Sequence, residues 1–170
     1  MGITLEQLLA SRDARAQHQR DLLGKYPGRS LVSMTVQLPG PVKRNAFSLQ
    51  IAEAGVKAVR EALSPEYEEL KDLETGYEGF FLVPVPPLEL KRITCSIEDA
   101  HPLGRLMDLD VLASSGEGAA PVLIGREEIG LPQRKCLLCN RPARWCMRER
   151  SHGTEALLQE IERIVNNYHP

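Results

Sequence analysis

Eight residues, Gly104-Arg-Leu-Met-Asp-Leu-Asp-Val111, constrain this chain more than any other stretch. Side chains on a strand alternate between faces, so Met107, Leu109 and Val111 enter a core while Asp108 and Asp110 emerge together on the other side. A fold that accepts this strand needs an apolar layer behind it and room for two like charges in front. Adjacent carboxylates repel each other, and a divalent cation commonly offsets that repulsion. Mg²⁺ favours carboxylate oxygens together with phosphate oxygens of a substrate. Asp108 and Asp110 are therefore candidate Mg²⁺ ligands of a nucleotidyltransferase-like site, with a solvated strand edge as the competing account of a lone Asp-x-Asp.

The rest of the chain supplies the layers. Residues 4–23 read as a helix capped by Thr4, and residues 47–63 as a second, with Phe47, Ile51, Ala54, Ala58, Val59 and Leu63 on one face. Residues 30–38 read as a strand that stops at Pro39-Gly40-Pro41. Short strands are expected at 79–84, 88–97 and 122–124, and another ending near Ala113. Residues 67–78 are acidic and poorly patterned. Leu157, Leu158, Ile161, Ile164 and Val165 mark a C-terminal amphipathic helix over 154–167. The expected fold is α+β, a single domain over 1–170 with a small mixed sheet, flanked by N- and C-terminal helices and carrying a Cys-rich segment at 134–152.

Composition narrows the class. With 170 residues, 42% hydrophobic and 26% charged, the chain is neither collagen-like nor disordered. No apolar run approaches the roughly 18 residues of a membrane span, and no secretory leader is visible, so no membrane association and a cytoplasmic location are expected. Net charge is −2. Such a chain has no general basic field for nucleic acid, and a polyanion must be met by a local cluster.

Candidates for that cluster recur at element ends: Arg12, Arg15, Lys43, Arg105, Arg134 and Lys135. Arg offers a planar fork and Lys a point charge, and together they suit a triphosphate or a departing pyrophosphate. His101, in a turn near the acids, is a candidate base or phosphate donor, and a plain turn histidine is the alternative. Cys136-x-x-Cys139 has zinc-knuckle spacing, and with Cys146 and His152 it could complete a tetrahedral site, so a structural Zn²⁺ is a candidate beside redox thiols and metal-free buried thiols.

Four ordered motifs carry a resemblance. SRDAR at 11–15, PGPVK at 39–43, HPLGRLMDLDV at 101–111 and RKCLLCNRPARWCMR at 134–148 resemble the apo-citrate lyase phosphoribosyl-dephospho-CoA transferase family, also called citrate lyase holo-acyl-carrier-protein synthases. The resemblance implies transfer of a phosphoribosyl-dephospho-CoA group from triphosphoribosyl-dephospho-CoA to a serine of the citrate lyase acyl carrier subunit, with release of pyrophosphate. It implies Mg²⁺ on Asp108 and Asp110, and Arg105 with Arg12, Arg15 and Lys43 on the phosphates. Glu98, expected at the end of the strand before, is the candidate third carboxylate. An acidic carrier would be met by Arg134, Lys135, Arg141, Arg144, Arg148 and Arg150. Two alternatives remain at this level: a zinc-binding interaction module without catalysis, and a nucleotidyltransferase that uses another nucleotide such as ATP.

Overall fold

The computed structural model describes residues 2–170, so Met1, the first residue of the expected domain span, lies outside the described residues. Thr4 opens helix α1 (Leu5–Lys25) through a reciprocal cap in which Thr4 accepts from the Gln7 backbone N–H and Gln7 accepts from that of Thr4. Strand β1 (Ser30–Val36) follows, then helix α2 (Ala46–Leu63), capped by Asn45. The acidic stretch at 67–78 is not irregular. It forms strand β2 (Tyr67–Leu73) and the start of β3 (Gly76–Val83), joined by the two-residue turn Glu74-Thr75, with Gly76 at φ 122°. Its weak pattern reflects an edge strand with no buried side chain.

Residues 88–97, expected as a strand, belong instead to helix α3 (Pro87–Ala100). Alternation in Leu88-Glu-Leu90 suggested a strand. The helical spacing of Leu90, Thr94 and Ile97, with Ile93 beside them, governs the packing, and Pro87 at the first helical position starts the element. A short 3₁₀ turn at Gly104–Leu106 then delivers β4 (Met107–Ala113), followed by β5 (Val122–Ile124), helix α4 (Ala143–Glu149) and helix α5 (Thr154–Asn166).

The five strands form one sheet in the order β2-β3-β1-β4-β5. Every pairing is antiparallel, which corrects the expectation of a mixed sheet. One face of the sheet is mainly apolar across β1, β3 and β4. Val32, Met34, Phe81, Val83, Leu109 and Val111 pack there against Ala52, Val56, Val59 and Leu63 of α2 and Leu90 of α3. At roughly 1.5–3 kcal/mol for each large apolar side chain removed from water, this layer dominates the stabilisation. Helix α5 closes one end by setting Ile161 and Val165 against Ile51, Ala54, Leu103, Leu106 and Met107. Among the described residues no helix is long and apolar enough to cross a membrane.

Candidate active site and metal centre

The other face of the sheet changes character row by row. Register places Leu112, Leu31, Leu82 and Tyr67 side by side across four strands, then Asp110, Ser33, Phe80 and Glu69, then Asp108, Thr35, Glu78 and Lys71. Helix α1 lies over this gradient and matches it. Leu22 and Leu23, its two buried residues, pack with Leu31, Phe80, Leu82 and Leu112. Further toward its N-terminus the contacts are polar. Gln19 donates to Ser33 Oγ at 2.9 Å, His18 Nε2 lies 2.8 Å from Glu69, Arg15 donates to Glu78 at 3.0 Å, and Ser11 meets Thr75 at 2.9 Å. A cleft of about 470 Å³ opens there, lined by Ser11, Ala14, Arg15, Lys71, Thr75 and Glu78.

Asp108 and Asp110 thus share one face, neither sealed in the interior. The Asp108 side chain is 35% exposed, accepts from Gln37 Nε2 at 2.9 Å and lies 3.7 Å from Arg134 Nη1. Burial, and next the charge of Asp108, push the Asp110 carboxyl up to about 6, while Lys91 and Arg15 pull the other way. Burial and the neighbouring carboxylate both disfavour the second negative charge of the pair. A hard divalent cation suits that donor set, since it takes carboxylate oxygens and leaves positions for phosphate.

The basic residues divide into two groups. Arg15 is near enough to act on Asp110, and Arg12 stands close enough to Lys43 that its charge, after burial, lowers the Lys43 ammonium pKa. Lys43 donates to the Leu38 carbonyl. Arg105 points elsewhere, donating to the carbonyls of Lys135 at 3.0 Å and Cys136 at 2.5 Å. Arg134 returns the contact. It donates to the carbonyls of Met107, Gly104 and Arg105 while facing both Asp108 and Glu98 at 3.7 Å.

Glu98 sits on helix α3 rather than on a strand, and is 3% exposed. Its carboxylate accepts from the Leu109 backbone N–H at 2.8 Å and from Arg126 at 2.7 Å, which ties it to the edge of β4. His101 ends α3, accepts at Nδ1 from the Leu103 N–H, and packs its ring 5.5 Å from that of Tyr168. Burial lowers its pKa.

The Cys-rich segment folds into a knuckle. A bridge between Lys135 and Pro142 and the Cys136 N–H to Arg141 carbonyl bond (2.7 Å) close its turn, and α4 brings Cys146 back. One donor atom from each of Cys136, Cys139, Cys146 and His152 lies within 4.8 Å of the others. Buried His152 Nε2 has no hydrogen-bond partner, an arrangement that costs free energy unless something binds the nitrogen. The Arg141 backbone N–H, then His152, hold the Cys139 thiol down at about 6, whereas burial and the adjacent thiols push Cys146 up to about 11. This cluster could hold a metal ion, and three sulfurs with one imidazole fit tetrahedral zinc.

The family model for apo-citrate lyase phosphoribosyl-dephospho-CoA transferase matches residues 3–168. The chain belongs to this family. A relative from Vibrio cholerae serotype O1 (strain M66-2), named "Probable apo-citrate lyase phosphoribosyl-dephospho-CoA transferase", is 38% identical over 99% of this chain and 94% of its own length. One from Streptococcus pyogenes serotype M18, with the same name, is 35% identical over 98% of this chain and 88% of its own. The Escherichia coli O157:H7 "Apo-citrate lyase phosphoribosyl-dephospho-CoA transferase" is 35% identical over 98% of this chain and 90% of its own. For a member of this transferase family, three polar residues beside the acids were not singled out from the sequence: Gln37, Glu78 and Lys91. Glu78 is buried against Arg15, and Lys91 is buried with Nζ 3.4 Å from the Leu109 carbonyl. Glu78 was the most findable of them, an acid in a segment that otherwise turns apolar at Phe80.

Proposed function

We propose that this chain transfers the phosphoribosyl-dephospho-CoA group of triphosphoribosyl-dephospho-CoA to a serine of the citrate lyase acyl carrier subunit. The serine oxygen bonds to the α-phosphorus, the bond from that phosphorus to the β-phosphate oxygen breaks, pyrophosphate leaves, and the serine proton passes to a base or to solvent. Family membership supplies the reaction class. The observation that carries the site is the shared face of Asp108 and Asp110, half-open and beside Arg15.

Asp108 and Asp110 would hold Mg²⁺, which supplies charge neutralisation on the phosphates and acidifies a bound hydroxyl. The chain's own residues do the rest. Arg15, held by Glu78 and near enough to act on Asp110, would meet the triphosphate, and Arg12 with Lys43 would extend the positive field toward the leaving pyrophosphate. Gln37 orients Asp108. Arg134 and Arg105 brace the turn before β4, and Glu98 clamps the Leu109 backbone, so these three act on the position of the acids. Cys136, Cys139, Cys146 and His152 would hold a structural Zn²⁺, a reading supported by the orphaned His152 nitrogen. Free thiols at that site suit a reducing compartment, which favours the cytoplasm.

Mass spectrometry of the apo carrier subunit after incubation with enzyme and Mg²⁺ tests the reading. A phosphoribosyl-dephospho-CoA adduct should appear with the CoA-derived triphosphate and none with ATP. Asp108→Asn and Asp110→Asn should each slow its formation more than about a hundredfold. No adduct with the CoA derivative, or undiminished rates in both variants, would refute it.

A further inference from the structure

Seven residues make up α4, and Cys146 is the only one of them that is buried. Trp145 is 58% exposed and Met147 74%, the largest exposures of any bulky apolar side chains in the described knuckle. Each helical step turns about 100°. With Cys146 inward, Arg144 and Arg148 form a central ridge one turn apart, and Trp145 and Met147 flank it on either side. Lys135, Arg141 and Arg150 are exposed around this ridge. Glu149 is the sole acid between residues 134 and 150, and it already lies 3.5 Å from Arg141.

This charge is local, because the chain as a whole carries −2. Exposed apolar side chains on either side of a cationic ridge are costly to leave in water and match a partner whose acids are bordered by apolar contacts. Trp and Arg are also the side chains that most often carry binding energy at interfaces. The patch is continuous with the acid-bearing strand. Arg105 holds the carbonyls of Lys135 and Cys136, and Arg134 reaches from the same segment to Met107 and Asp108. A protein seated on α4 would stand beside the acids.

We propose that this ridge is the docking surface for the acceptor, an acidic carrier protein whose serine must reach Asp108 and Asp110. The proposal rests on the transfer reaction given above. Arg134, whose guanidinium is turned onto backbone carbonyls, is not part of the surface.

Trp145 is the chain's single tryptophan, so its emission reports directly on the patch. Titrating the full-length protein with purified apo carrier subunit should shift that emission saturably, and the shift should weaken as salt rises toward about 1 M. The double reversal Arg144→Glu, Arg148→Glu should raise the KM for the carrier at least tenfold with kcat and zinc content unchanged. Unaltered emission together with an unaltered KM, while the wild-type still forms the adduct, would overturn the docking surface and leave the reaction standing. An emission shift without any adduct would support docking and sink the reaction. A shift produced by anionic phospholipid vesicles or by self-association, and not by the carrier, would overturn the proposal in favour of a membrane or a second copy of the chain.

Discussion

Folding disfavours the ionised form of Asp110. Its folded pKa of about 6 stands above the reference value of 3.8. Between those pH values the folded protein keeps a proton that the unfolded chain has released. Stability contributed at low pH is therefore lost as pH rises through this window, by roughly 3 kcal/mol when the window is passed. Without divalent cations, Asp110→Asn should raise the denaturation midpoint at pH 7.5 by an amount worth about 1–3 kcal/mol, and the gain should vanish near pH 4. Mg²⁺ should raise the midpoint of the native chain and not of the variant. Calorimetry across pH checks all three outcomes. The two aspartates were legible in the sequence because alternation along one strand is a local property. Gln37 and Glu78 were not, because Gln37's place beside Asp108 and Glu78's place two strands away in the same row depend on the registers of β1 with β4 and of β3 with β1. Arg105 and Arg134 were visible as basic, but which of them reaches an acid depends on how a knuckle some 30 residues away folds back.

The turn that launches β4 leaves no room for a side chain. A Cβ on Gly104 would lie 2.6 Å from the Ile97 carbonyl and clash with that of Glu98 as well, both backbone atoms of α3. Gly104→Ala should cost about 1–3 kcal/mol in denaturant unfolding and lower the transfer rate, since relief requires α3 and β4 to separate. Gly24, inside α1, has nothing within 4 Å of the corresponding position. Gly24→Ala should stabilise by about 0.5–1 kcal/mol and leave the rate unchanged. Helices α1, α2 and α5 and strands β1 and β4 were readable from capping and periodicity. Helix α3 was not, because its first residues alternate and its helical spacing emerges only over the whole 14-residue span. Strand β2 escaped for the opposite reason, lying at an edge where few side chains face a core.

At the scale of the molecule, the knuckle and the acid strand behave as one assembly. Arg105 and Arg134 exchange contacts across it, so loosening the thiol cluster should be felt at β4. Purified protein should contain about one zinc per chain by elemental analysis. Cys139→Ser should lose most of it, lower the melting temperature, and speed hydrogen exchange of the Met107 to Leu109 amides. Equal exchange rates with and without zinc would separate the two regions. Antiparallel pairing and strand order lay beyond the sequence, because both are set by contacts between β1 and segments some 45 to 80 residues later.

The graded underside of α1 has its own consequence. Leucines grip the sheet at one end of the helix, Phe80 extends that grip under His18, and polar partners take over toward Arg15 and Ser11. A phosphate-rich guest entering from the Arg15 side would compete for the Arg15–Glu78 ion pair and not for the leucine contacts. On the proposed reaction, the triphosphate would meet the polar half of this helix and spare the leucines that anchor it.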